Sequence, residues 1–390
     1  MQFTDHRPTM AIVDLAAIRH NVQHVLETLS ADQKLYATVK ANAYGHGSVP
    51  VSKAALEAGA TGLLVATVDE AIELREANIT SVPIIVLGLT DPRGIAEILH
   101  YQITVTVAHP SWFDQAYRQL EQTDQLDLLK RHRLICHLPL DTGMGRIGLR
   151  THEEVEMFHQ AVSQLDWVDW QGVFTHFSTA GGGPADYIEH QLNQWNTLLE
   201  SVPSSVKERH FANTAMGIWH NDSAWLAAHQ TQKSDIIRFG IGMYGIDPKD
   251  QLDNGTQYTL QPALELVSEL VYVKQVPAGQ SISYGATYTT ESDEWIGTVP
   301  IGYADGWLRH YREVTLSVKG QPCPVLGVIN MDQLMIRLPE NYPVGTSVIL
   351  ISPETQSNNS ASNIAKQVGT IGYEIVTSIG ERVPRVYLNE

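Results

Sequence analysis

The sequence predicts an α/β fold: an N-terminal (β/α)8 TIM barrel over residues 12–247, then a mostly β domain over 248–390 that also takes in residues 1–11. Three observations lead there. Short apolar runs recur eight times before about residue 245, helix-like segments separate most of them, and later runs are β-rich and split by Gly, Pro and Asn turns. A doubly wound open sheet shares the strand–helix alternation, and the count of eight favours the barrel.

The eight runs are LYATVK (35–40), GLLVAT (62–67), PIIVLG (83–88), ITVTV (103–107), LICHLPL (134–140), QGVFTHF (171–177), RHFANT (209–214) and DIIRFGIG (235–242). Helices are expected at 69–78, at 152–165 and at 185–199. In the second of these Val155, Phe158, Val162 and Leu165 share one face. Beyond residue 250, stretches such as SISYGATYTT and EVTLSVKGQPCPVLGVI read as short strands. Residues 353–362 read as a polar loop, and 362–368 as at most a short helix.

Bulk composition excludes several function classes. A formal charge of −17 argues against nucleic-acid or anionic-membrane binding, which favours excess Lys and Arg. Two distant cysteines, Cys136 and Cys323, lack metal-ligand spacing and suggest a reducing compartment rather than a disulfide framework. The N-terminus shows no signal pattern and no run is long enough to span a bilayer, so a cytoplasmic protein is expected.

In such barrels chemistry gathers where strands end. Lys40 closes the first run, Arg146 follows the fifth, His176 ends the sixth, Asn213 and Thr214 end the seventh, and Arg238 lies in the eighth. A lysine, two arginines and a histidine suit a flat, anionic, nitrogen-containing ligand, and the glycines of RFGIGMYG could expose N–H groups to a phosphate. A deep lysine is useful when neutral, because the free amine forms a Schiff base with an aldehyde. Pyridoxal 5′-phosphate supplies both aldehyde and phosphate. Sugar-phosphate aldolases use a similar lysine, so spacing alone leaves both open. The bland readings are a solvated surface lysine, a core histidine at 176 and a turn aspartate at 332. His46 and both cysteines read as structural, and the other 14 histidines show no metal-ligand spacing.

The segment VKANAYGHG resembles the cofactor-lysine motif of alanine racemases. RPTMAIVDLAAIRHN before it, and LDTGMGRIG, FTHFSTA, FANTA, RFGIGMYG, ISYGATY, IGYADG, NMDQLMI and IGYEIVTSIGERVPRVY after it, stand in that family's order from residue 7 to residue 387. The resemblance implies a pyridoxal-phosphate racemase interconverting L- and D-alanine, supplying D-alanine for peptidoglycan. It implies that Lys40 holds the cofactor and acts as one base, and that Tyr284 of a partner subunit is the other. It further implies Tyr44, Thr214, Gly240, Ile241 and Tyr373 around the phosphate, and Arg238 at the ring nitrogen supported by His176 and Asn213. Arg146, the Met331 backbone and Asp332 would handle the substrate, and no metal is called for. The same resemblance implies a head-to-tail homodimer, and Tyr373 favours alanine over serine.

Two departures stand out. Relatives carry a carbamylated lysine seven residues before the matching arginine, where this chain has Pro139. The run AGGGPADY (180–187) reads as a flexible loop rather than a phosphate loop. Two rival activities share the barrel. A non-catalytic cofactor carrier would lack the second domain, and a decarboxylase would need a cysteine motif that GQPCPVLG does not resemble.

Overall fold

The computed structural model describes residues 6–220, 223–228, 231–232, 234–248 and 259–390. After β1 (Met10–Asp14) come eight parallel strands: β2 (Lys34–Thr38), β3 (Gly62–Val65), β4 (Ile84–Leu89), β5 (Thr104–Thr106), β6 (Leu134–Pro139), β7 (Val168–Phe174), β8 (Glu208–His210) and β9 (Ile236–Phe239). They run in sheet order β8-β7-β6-β5-β4-β3-β2-β9, with β2 joined to both β3 and β9. All four residues of β3 are buried, as expected of strands covered on both faces.

The barrel closes least completely between β8 and β9. There one bridge, Asn213 to Arg238, and two backbone bonds complete the circle: Asp235 N to Arg209 O at 2.9 Å and Arg238 N to Ala212 O at 2.9 Å.

Helices pack outside the strands. Val68–Glu76 begins with a reciprocal cap between Thr67 and Glu70, and His152–Val162 repeats the device with Thr151 and Glu154. Val155, Phe158 and Val162 are buried on one face as the periodicity predicts. This helix ends before the fourth expected member, Leu165. Most strands also stop earlier than the apolar runs suggest, and for two the cause is local. β2 ends at Thr38 because the chain then coils left-handed, and β8 ends at His210 because Asn213 turns to cap the helix Thr214–Trp219.

The second sheet has nine strands and draws on both ends of the chain. β1 lies antiparallel to Leu264–Glu269 and parallel to Arg385–Leu388. The polar stretch after Ser352 leads into a short helix, Ala361–Val368. Of the expected N-terminal segment, residues 1–5 lie outside the described residues, and the expected boundary at 248 adjoins 249–258, which do too. Both cysteines are free and buried. Among the described residues no helix is long and apolar enough to cross a membrane, and no cluster of three or more His, Cys, Asp or Glu side chains could hold a metal.

Candidate active site

The segment that carries Lys40 has an unusual backbone. Ala41, Asn42, Ala43 and Tyr44 all have φ between 51° and 53°, forming one turn of left-handed helix. Four L-residues in that region cost roughly 4–8 kcal/mol, so the surroundings must enforce the shape. Val39 O accepts from Ala43 N at 2.8 Å, Asn42 O accepts from Gly47 N at 2.9 Å, and the Asn42 side chain accepts from Ser48 N at 2.8 Å. Glu70, besides capping its own helix, accepts from Ala41 N at 2.6 Å. Gly45 closes the turn at φ 83°, where a Cβ would lie 2.4 Å from Val376 O. His46 is buried, its Nδ1 against the Ala43 and Tyr44 carbonyls and its ring against Tyr244.

The turn presents Lys40 to a positive neighbourhood. Burial lowers its pKa first and Arg146 lowers it further, Glu70 opposes, and Arg238 adds to the lowering. Lost solvation is the largest cause, and the cations add to it.

Arg238 sits at the barrel seam and is 5% exposed. Nη1 donates to His210 O at 2.8 Å and faces His210 Nδ1 at 3.2 Å. Nη2 donates to Thr175 O at 2.8 Å and to Phe211 O at 3.1 Å, and faces His176 Nδ1 at 3.4 Å. Nε–H is left without a partner among the described residues. Burial, then Arg146, pulls the guanidinium down to about 9, still charged at neutral pH. His176 is pushed to about 3 by burial and then by Arg238, Arg146 and Lys40, so it is a neutral imidazole. Asn213 accepts from Met216 N at 3.0 Å and donates to Phe177 O at 3.4 Å, fixing the loop between β8 and its helix.

Beside these lies a small cup of hydroxyls. Gly240 N donates to Thr214 Oγ1 at 2.9 Å, which leaves the Thr214 hydroxyl proton free to donate elsewhere. A Cβ on Gly240 would lie 2.9 Å from the Tyr44 hydroxyl and 3.6 Å from Thr214 Oγ1, so glycine leaves that space open. Ile241 begins a single 3-10 turn, Ile241–Tyr244, where the first N–H has no acceptor within the turn. The Tyr44 ring packs between Tyr244 at 4.8 Å and Tyr373 at 6.0 Å, and burial raises its phenol pKa, so it stays a donor.

Arg146 is exposed, on a loop held by Asp141. That carboxylate accepts from Gly143 N at 3.1 Å and from Gly145 N at 2.8 Å. Gln191 braces the neighbouring Thr142, which also bonds Thr175. Pro139 offers the arginine neither charge nor acceptor side chain, and the loop rather than a side-chain partner places it.

The remaining expected residues stand elsewhere. Tyr284 is 74% exposed and Met331 53% exposed, both on the second domain. The Ser283 hydroxyl donates to Val328 O at 2.7 Å, which ties the Tyr284 turn to the strand region before Met331. Asp332 accepts from Arg382 at 2.8 Å. Among the described residues no hydrogen bond, ion pair or ring contact joins Tyr284, Met331 or Asp332 to the barrel group. Sequence reasoning passed over His137 and His210, although a histidine inside an apolar strand run (LICHLPL, RHFANT) was the available signal.

Residues 13–248 match the family description "Alanine racemase, N-terminal domain" and residues 263–387 "Alanine racemase, C-terminal domain". An alanine racemase of Ligilactobacillus salivarius is 43% identical over 383 residues, covering 98% of each chain. The crystal structure of alanine racemase from Bacillus anthracis with bound L-Ala-P superposes with a TM-score of 0.90 at 39% identity, covering 100% of this chain and 97% of that one. A histidine racemase from Leuconostoc mesenteroides also matches, with a TM-score of 0.86 at 30% identity over 99% of both chains.

Proposed function

The chain belongs to the alanine racemase family, and from that premise we propose that it interconverts L- and D-alanine with pyridoxal 5′-phosphate, in the cytoplasm, supplying D-alanine for peptidoglycan. The observation that carries this reading is the pairing of a desolvated Lys40 with a seam arginine whose Nε–H alone is uncommitted.

The residues present fit the cofactor. Tyr44, Thr214, Gly240, Ile241 and Tyr373 would hold its phosphate in the hydroxyl cup, where Gly240 leaves room and Thr214 keeps a proton to donate. Lys40 would bind its aldehyde carbon, and Arg238 Nε–H would meet its ring nitrogen, with His176 and Asn213 holding the surroundings. Bound there, the cofactor supplies an electron sink that acidifies the α-C–H of an attached amino acid.

The chain's own groups do the rest. Lys40 Nζ, unprotonated at lower pH than an ordinary lysine, takes or delivers the α-proton on one face. Tyr284, exposed in the single chain, would reach the opposite face of a second subunit's site, so we infer a head-to-tail homodimer. Two fixed bases on opposite faces invert the centre without reorganisation. Arg146 and the Met331 backbone would receive the substrate carboxylate, with the Asp141-held loop keeping Arg146 in place and Asp332 beside them in the entry region. Arg238, still charged at neutral pH, would donate to the ring nitrogen rather than give it a proton, which would moderate the sink against transamination. We divide the chain into a cofactor-binding barrel, 12–247, and a second domain, 248–390 with 1–11. β1 pairs in the second sheet as far as Asp14, which supports placing the N-terminal segment there and carries its share three residues past 11.

The test is purified protein with pyridoxal phosphate and L-alanine in heavy water, following optical rotation and α-proton loss together. Loss of both at matching rates is expected. Exchange without inversion would mean a one-faced site, and no exchange would overturn the racemase reading. L-Histidine under the same conditions should be turned over far more slowly, because the Tyr373 ring beside Tyr44 limits room for a larger side chain.

A further inference from the structure

Below the seam arginine the barrel interior holds a second polar group. Arg238 Nη1 faces His210 Nδ1 at 3.2 Å. His210 Nε2 lies 2.9 Å from His137 Nδ1. His137 Nε2 lies 3.4 Å from Glu208 Oε2, long for a hydrogen bond, with no other partner for that nitrogen among the described residues. Glu208 Oε1 accepts from Lys34 Nζ at 2.8 Å, where the chain reaches the lower rim of the barrel. Both imidazoles are 0% exposed.

The two ends decide every proton between them. A guanidinium has donors and no acceptor, so His210 Nδ1 must present its lone pair and its proton sits on Nε2. That N–H needs an acceptor, and His137 Nδ1 is the atom in reach, so the His137 proton sits on Nε2 and points at a carboxylate, which can only accept. Any other tautomer sets N–H against N–H or lone pair against lone pair inside a dry interior, at a cost buried polar groups rarely bear.

We propose that Glu208, acting through His137 and His210, is a positioning residue for Arg238: hydrogen bonds order Arg238, His210 and His137 in one direction, a 3.4 Å contact ties His137 to Glu208, and this order fixes both histidine tautomers and leaves the arginine's Nε–H uncommitted. The claim that this matters to turnover rests on the reading of Arg238 as the ring-nitrogen partner.

The surrounding structure is built to this chain. The His137 ring fills the space above Gly172, where a Cβ would come within 2.5 Å of it. A register shift between β6 and β7 falls between Cys136 and His137 and re-aims the strand there. His210 stacks on Phe174, with ring centroids 5.1 Å apart and planes 20° apart. Burial opposes ionisation of Glu208, yet His137 and Lys34 outweigh it and hold the carboxyl below its ordinary value. Burial drives His210 well below the imidazole range, with His137 and Arg238 in support. The His210 link is therefore neutral.

Neutron diffraction from heavy-water-exchanged crystals of the holoenzyme reads these protons directly. Deuterium on Nε2 of both His137 and His210, and on neither Nδ1, is expected. Deuterium on either Nδ1 overturns the proposal, whether or not any variant folds. In solution, E208Q removes the accepting charge and should lower kcat about tenfold while KM for alanine moves less than about twofold, the size seen when an outer partner of an orienting histidine is lost. E208D should recover most of that loss. A lower melting temperature in E208Q with unchanged kcat would reduce Glu208 to a structural role and overturn the functional half. Wild-type protein without racemase activity would instead count against the cofactor reading, leaving the deuterium positions to decide this one.

Discussion

In the proposed mechanism the mouth of the barrel and the exposed rim of the second domain would carry the two halves of one reaction, and the chain holds them in opposite ways. At the mouth, Lys40 rides a left-handed turn locked by backbone bonds and Glu70, and Arg238 commits Nη1 and Nη2 to backbone carbonyls. At the rim, Tyr284 stands 74% exposed on a turn tied only to its own domain. A group that must keep a perturbed protonation state is buried and over-determined. Tyr284, which the proposed mechanism sends to a second copy of the chain, is presented on the surface instead.

Removing the anchor of the mouth should have the largest effect. Lys40→Ala is expected to lower racemisation by more than about 10³-fold, since covalent attachment and one proton transfer disappear together. The visible absorbance of covalently held cofactor should vanish from the purified protein. A variant that keeps both would remove Lys40 from the mechanism.

Tyr284→Phe should lower inversion about 10²-fold or more, and mixing sharpens the contrast between regions. Lys40→Ala and Tyr284→Phe chains, unfolded and refolded together, form half of their dimers as hybrids, each with one intact site if Tyr284 acts across the interface. About one quarter of wild-type activity should return. If Tyr284 served its own chain's site, the mixture would stay as inactive as either parent.

The difference between the regions also explains what the sequence could disclose. All eight barrel strands were legible as apolar runs, because strands covered on both faces leave a continuous signature. Arg238 was legible because an unpaired guanidinium inside such a run is costly, whereas Lys40, which alone reads as a solvated surface lysine, was legible through the VKANAYGHG segment around it. The left-handed coil after Val39 was not, since Ala-Asn-Ala-Tyr has no local preference for φ near 52° and tertiary contacts impose it. His137 and His210 are 73 residues apart and meet only through the sheet order, so no spacing could pair them. Tyr284 could be placed by resemblance alone, because periodicity cannot show where a second chain will lie.

A smaller effect probes the cup. Thr214→Val removes the hydroxyl that accepts from Gly240 N and should weaken cofactor binding about tenfold, the usual worth of one such bond. Thr214→Ser keeps the hydroxyl and should bind within about twofold of wild type. Equal losses in both would mean that the methyl group, not the hydroxyl, does the holding.

The smallest effect is a titration, and it tests whether the mouth is as self-sufficient as its burial implies. Lys40 lies below the ordinary lysine value first because of burial, then because of Arg146, with Glu70 pulling the other way. A lowered pKa means the amine loses its proton at lower pH, so its acylation in cofactor-free protein should begin at lower pH than that of surface lysines. Arg146→Gln removes a neighbouring positive charge and should move the Lys40 midpoint up, toward the ordinary value without reaching it, because burial remains. Glu70→Gln keeps an acceptor for Ala41 N but removes a negative charge, and should move the midpoint down. Arg146 is exposed, so the upward shift should shrink in high salt, whereas the part due to burial should not. Competitive labelling of Lys40 across pH, at low and high salt, separates the two. A wild-type midpoint that rose fully to the ordinary value in salt would assign the lowering to the exposed arginine and leave the barrel interior with little part in it.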